Sequence, residues 1–154
     1  MQKLSEHKIE EMFQDFLIAL PDYMEDFIHN GKKDGYIFDY SLDSLSTLEE
    51  FAQRKVITSE SVMVNDIAAY IGEVIIVNYG GGWRCSIENG PKSVSYGLPV
   101  VYGFNNYGLE FSPFEVVGVF VERPRKNHFF KSIQGYINPL EDELDLDDLP
   151  TEDY

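Results

Sequence analysis

The chain is short of cysteine, of basic residues, of long apolar runs and of closely spaced histidines, and each shortage removes a class of function. A single cysteine, Cys85, leaves no internal disulfide, which excludes a disulfide-stapled secreted scaffold and points to a reducing compartment. No apolar stretch approaches the roughly 20 residues that a membrane helix needs. The first thirty residues scatter Glu6, Glu10, Glu11, Asp15, Asp22, Glu25 and Asp26 among their apolar positions, unlike the basic start and unbroken apolar run of a signal peptide. A soluble, cytoplasmic protein is therefore expected. His7, His29 and His128 lie far apart, with no H-x-x-x-H spacing and no cysteine pair, so no metal site is expected. Asp145, Asp147 and Asp148 lack the glycine and terminal glutamate of a calcium loop. Gly80, Gly81 and Gly82 lack the spacing of a phosphate loop and follow a helical pattern where such a loop would precede one, so neither nucleotide nor other cofactor is expected.

Basic residues number 12 against 27 acidic ones, for a formal net charge of -15. Residues 140–154 hold 8 of those acids, among them Glu141, Asp142, Glu143, Asp145, Asp147 and Asp148, and no basic residue. Such a field repels nucleic-acid phosphate and anionic membrane, both of which are bound through Lys and Arg. It attracts a basic protein and speeds the encounter at low salt. The six named tail acids are thus candidate partner-binding residues, and the composition of the tail predicts disorder in isolation.

The remaining chain has ample material for a core, with 44% hydrophobic residues overall, 11 Phe and 10 Tyr in 154 residues. One α+β domain over residues 1–139 is expected, followed by the acidic tail at 140–154. Leu4, Met12, Phe13, Phe16, Leu17 and Leu20 fall at helical spacing, and Pro21 then marks a kink or a second helix through Ile28. The polar run at 29–35 predicts a loop, 36–40 a short strand, and 42–54 a helix. Val64, Ile67, Ala68, Ile71, Val74 and Ile75 predict one long core helix over 59–78, stopped by the glycines. Short antiparallel strands should occupy 83–104, with Asn89-Gly90 as a hairpin turn. Ser112, Pro113 and Glu115 form a capping-box signature for a helix ending near Pro124, and Asn127 is the expected cap of a last helix.

One segment stands out chemically. Tyr70 and Glu73 sit three residues apart on the long helix, with Gly72 between them leaving room for another backbone to approach. Trp83 and Arg84 follow the glycine stop. Glu73 is a candidate general acid or base if burial raises its pKa, with Tyr70 as donor and Arg84 as charge partner; the competing reading is a core carboxylate held by structural bonds. Cys85 beside Arg84 is either activated or a packed, inert thiol. Arg123, Arg125, Lys126 and Lys131 with His128 form the one basic cluster, readable as an RNA contact, as cations after a helix end, or as a landing site for the tail.

The AAYIGEV helix, glycine turn and following tryptophan resemble uncharacterised small α+β families of bacteria over residues 36–121. The resemblance implies an α+β fold and, for some such families, an immunity-like role toward toxins; it implies no catalytic residues. Two functions follow. The first is a non-catalytic acidic protein-binding module, such as an immunity-type inhibitor of a basic toxin. The alternative is an enzyme with a pocket around Glu73, Tyr70 and Trp83.

Overall fold

The computed structural model describes residues 5–55, 57–58, 61, 63–87, 96–105 and 108–137. The acidic tail and the Asn89-Gly90 turn lie outside them. The described residues form an α+β fold in the order α1 (Glu6–Lys33), α2 (Ser44–Arg54), α3 (Met63–Tyr79), β1 (Gly82–Cys85), β2 (Pro99–Tyr102), α4 (Pro113–Glu122) and α5 (His128–Ile137).

Ser5 starts α1 by accepting the Lys8 N–H on its Oγ at 3.1 Å, and Glu6 in the first turn and Lys32 and Lys33 in the last complement the helix dipole. The helix continues past Pro21, where sequence predicted a kink or a second helix, and through residues 29–33, where it predicted a loop. Pro21 is exposed, whereas Leu20, Met24 and Phe27 on either side are buried, so tertiary packing outweighs the roughly 3 kcal/mol that proline costs a helix interior. Gly31 is a packing glycine rather than a turn glycine, because a Cβ there would collide with the Phe38 ring. The stop comes at Gly35, with φ of +90°: Tyr36 N–H bonds to Gly31 carbonyl at 2.8 Å and Gly35 N–H to Lys32 carbonyl at 3.1 Å, a Schellman arrangement.

Residues 36–40 form a strap rather than the expected strand. Tyr36 and Phe38 face inward and Ile37 and Asp39 outward, the alternation of a strand, yet the inward rings pack on helices. Phe38 stacks on Phe27 at 4.8 Å between ring centres and meets Phe51 edge-on at 5.6 Å. Leu45, Leu48, Phe51 and Ala52 bury the inner face of α2.

The central helix is α3, whose residues 67–72 are all buried and which packs on α4, α1 and β2. Gly80 and Gly81, with φ of +89° and +91°, turn the chain out of it. The sheet among the described residues is smaller than the expected meander: β1 pairs antiparallel with β2, Trp83 opposite Val101, and a single further bridge joins Val101 to Phe111. Ser112 begins α4 by accepting the Glu115 N–H at 3.4 Å, with Pro113 as its first residue.

The start of α5 differs from expectation. Asn127 is not the side-chain cap; it adopts a left-handed φ of 61°, and its backbone N–H donates to Glu49 Oε1 of α2 at 2.9 Å while Phe129 N–H donates to Glu49 Oε2 at 2.8 Å. A buried carboxylate from a distant helix thus satisfies the exposed end of α5. Burial pushes Glu49 upward in pKa, and the two N–H donors pull it partly back.

Candidate functional site

The four candidate residues are near one another in sequence but are committed to three separate contacts. Tyr70 is fully buried, its hydroxyl 2.6 Å from Ser44 Oγ and accepting the Tyr40 N–H at 2.9 Å. Its phenol, raised in pKa by burial, holds the strap and α2 onto α3. Glu73 is half-buried and accepts the Trp83 indole N–H at 3.1 Å. Arg84 is not the charge partner of Glu73: its Nε and Nη2 both reach Glu110 Oε2 at 2.8 Å, and its guanidinium lies 4.8 Å from the Tyr102 ring centre. Ser86 donates to the other Glu110 oxygen at 3.0 Å. Gly72 admits no second backbone. It admits the Trp83 ring, which a Cβ at that position would penetrate.

Burial, then the charges of Glu10 and Glu110, push the Cys85 thiol upward, opposite to activation by Arg84. His128 has its Nε2 3.2 Å from the Val116 carbonyl and is lowered in pKa chiefly by burial. Within the basic cluster Arg123, Lys126 and Lys131 are exposed and Arg125 is half-buried, whereas Phe129 enters the core. Among the described residues no group of three or more His, Cys, Asp or Glu side chains could hold a metal ion, and no helix is long and apolar enough to cross a membrane.

Among the described residues, one surface with room for a partner is an edge of α1. Two hollows meet at Tyr23, which walls both. The first, about 390 Å³, lies between Met12, Phe16 and Ala19 of α1 and Pro99 and Phe114 across from them, with Asp15 at its side. The second, about 240 Å³, lies between Asp26 and Asn30 of α1, Phe51 of α2 and Asp66 of α3. Positions 12, 16, 19, 23, 26 and 30 step by three or four residues, so they share one face of the helix. From Met12 to Asp34 that edge is about 33 Å long at the usual helical rise.

Its chemistry is mixed apolar and acidic. Met12 is 50% and Tyr23 49% exposed, large apolar groups left in water. Asp34 is paired with Lys55 at 2.9 Å, but among the described residues Asp15 and Asp26, which line the hollows, make no ion pair. Burial, reinforced by the charge of Asp26, pushes Asp66 upward in pKa. A cation between the two carboxylates would offset the charge of Asp26 on Asp66. The sequence pattern contained half of this signal, the exposed acids of α1; the contributions of Phe51, Asp66, Pro99 and Phe114 come from elsewhere in the chain. No known protein family, curated protein or solved structure matches this chain.

Proposed function

We propose that the chain is a non-catalytic acidic binding module for a basic protein, working in the cytoplasm, with an immunity-type inhibitor of a basic toxin as its most specific form. One observation carries the reading: acids of α1 that make no ion pair among the described residues stand beside exposed Met12 and Tyr23. Charged groups of one sign around apolar anchors suit recognition of a partner of the opposite sign. The 8 acids of residues 140–154 add to the same field, and Glu141, Asp142, Glu143, Asp145, Asp147 and Asp148 are the tail residues that would meet the partner. The alternative of an enzyme centred on Glu73, Tyr70 and Trp83 gains no support from side chains already bonded to structural partners.

The test is capture from the native cell followed by stopped-flow mixing at low and moderate salt, with the full chain and with a chain lacking residues 141–154. A basic partner whose association slows as salt rises, and slows further on truncation, is the expected result. An acidic partner, or rates indifferent to both salt and truncation, would refute it.

A further inference from the structure

We infer that the basic partner docks along the edge of α1 from Met12 to Asp34, as an amphipathic helix with apolar residues in the first hollow and a Lys or Arg side chain in the second. This rests on the binding-module reading above and gives it a location. The first hollow is walled by Phe16, Ala19, Pro99 and Phe114, so it takes apolar side chains. The second is about 240 Å³, below the roughly 300 Å³ at which small-molecule sites begin. It is the size for one inserted side chain, and its lining sets Asp26, Asp34 and Asp66 against one base, Lys55, which Asp34 already pairs at 2.9 Å, so the charge left over favours a cation. Tyr23, 49% exposed between the hollows, offers a ring face over which a guanidinium can stack.

A helix is the form that suits the edge. Footholds recur at three- and four-residue steps along a helical edge of about 33 Å, and the ridges of a second helix fit such a row. Two other occupants are disfavoured by charge. A second copy of this chain brings a net charge of -15 against an acidic surface, and its own tail carries 8 acids and no base.

The experiment uses the full-length, isotope-labelled protein and a synthetic helix of about 18 residues with Leu on one face and Lys on the other, long enough to span about 27 Å. A peptide of the same pattern with Glu replacing Lys is the control. The expected result is that the Leu/Lys helix shifts the backbone resonances of Asp15, Ala19, Tyr23, Asp26 and Asn30. The double variant D26N/D66N should weaken binding about tenfold at low salt and flatten its salt dependence. Ala19→Trp, which fills the first hollow, should weaken binding by a similar factor and leave the salt dependence in place. If the Leu/Lys helix binds but shifts resonances away from this edge, or D26N/D66N leaves its affinity unchanged, the docking site is overturned while the basic-partner reading stands. If the Leu/Glu helix binds as tightly as the Leu/Lys helix, the basic-partner reading fails with it.

Discussion

Replacing Gly72 with alanine should damage this protein even though alanine is the better helix former. The new Cβ would penetrate the Trp83 ring, so the indole must leave its place against α3. Leaving breaks the indole N–H bond to Glu73 at 3.1 Å and the edge-on contact with Phe16, whose ring centre is 5.1 Å away. Overpacking costs about 1–3 kcal/mol, loss of a bond to a charged acceptor about 1.5–3, and loss of the aromatic pair about 0.5–1.5. Helix propensity returns about 1 kcal/mol, which leaves a net destabilisation of about 2–5 kcal/mol once partial relaxation of the half-buried indole is allowed. Trp83 is the single tryptophan of the chain, so its emission reports the displacement directly. Urea unfolding of Gly72→Ala should show a lower midpoint and a red-shifted native emission. The decisive control is Trp83→Ala, followed by circular dichroism. On that background Gly72→Ala should stabilise by about 1 kcal/mol, since only the propensity gain is left. A Gly72→Ala protein as stable as wild type, with unchanged emission, would refute the steric argument.

Two further predictions concern buried polar contacts. Glu49→Ala leaves the Asn127 and Phe129 N–H groups without their acceptor and should cost about 2–4 kcal/mol in chemical denaturation, with protection from hydrogen exchange lost first in α5. Because burial raises Glu49 in the folded protein above its ordinary 4.5, its stabilising contribution is complete below that value and declines as pH rises through the folded pKa. The stability advantage of wild type over Glu49→Gln should therefore shrink as pH rises from 4.5, and an advantage that grows with pH would contradict the sign. Tyr70→Phe removes the acceptor of the Tyr40 N–H and the partner of Ser44, so it should cost about 1–3 kcal/mol and loosen the strap at 36–40, as measured by calorimetry and hydrogen exchange.

Local signals in the chain were sufficient where the relevant partners are also local. The apolar spacing of α3 and the Ser112, Pro113, Glu115 signature of α4 work within a few residues of themselves; α4 begins at Pro113 as its signature indicates, and α3 ends at the glycine stop but begins at Met63, later than the expected 59. The polar run at 29–35 misled because Gly31 reads as a turn residue in isolation, while its lack of a side chain makes room for Phe38. Pro21 does not end the helix, because a break signal carries a fixed local cost, whereas the burial of Leu20, Met24 and Phe27 that outweighs it depends on α2, α3 and the strap.

Composition by itself determined the sign of the protein's field, the exclusion of internal disulfides and the presence of enough apolar material for a core. These are sums over the chain and need no coordinates. Only the tertiary structure decided which polar groups meet: Tyr70 with Ser44, Glu73 with Trp83, Arg84 with Glu110, and Glu49 with the start of α5 some 80 positions away. It also decided where acids remain beside open apolar surface, because a hollow between Asp26 and Asp66 exists only once α1 and α3 lie side by side. Sequence spacing orders side chains along one helix; which of them face each other across two helices is set by how the apolar stripes close over a shared core.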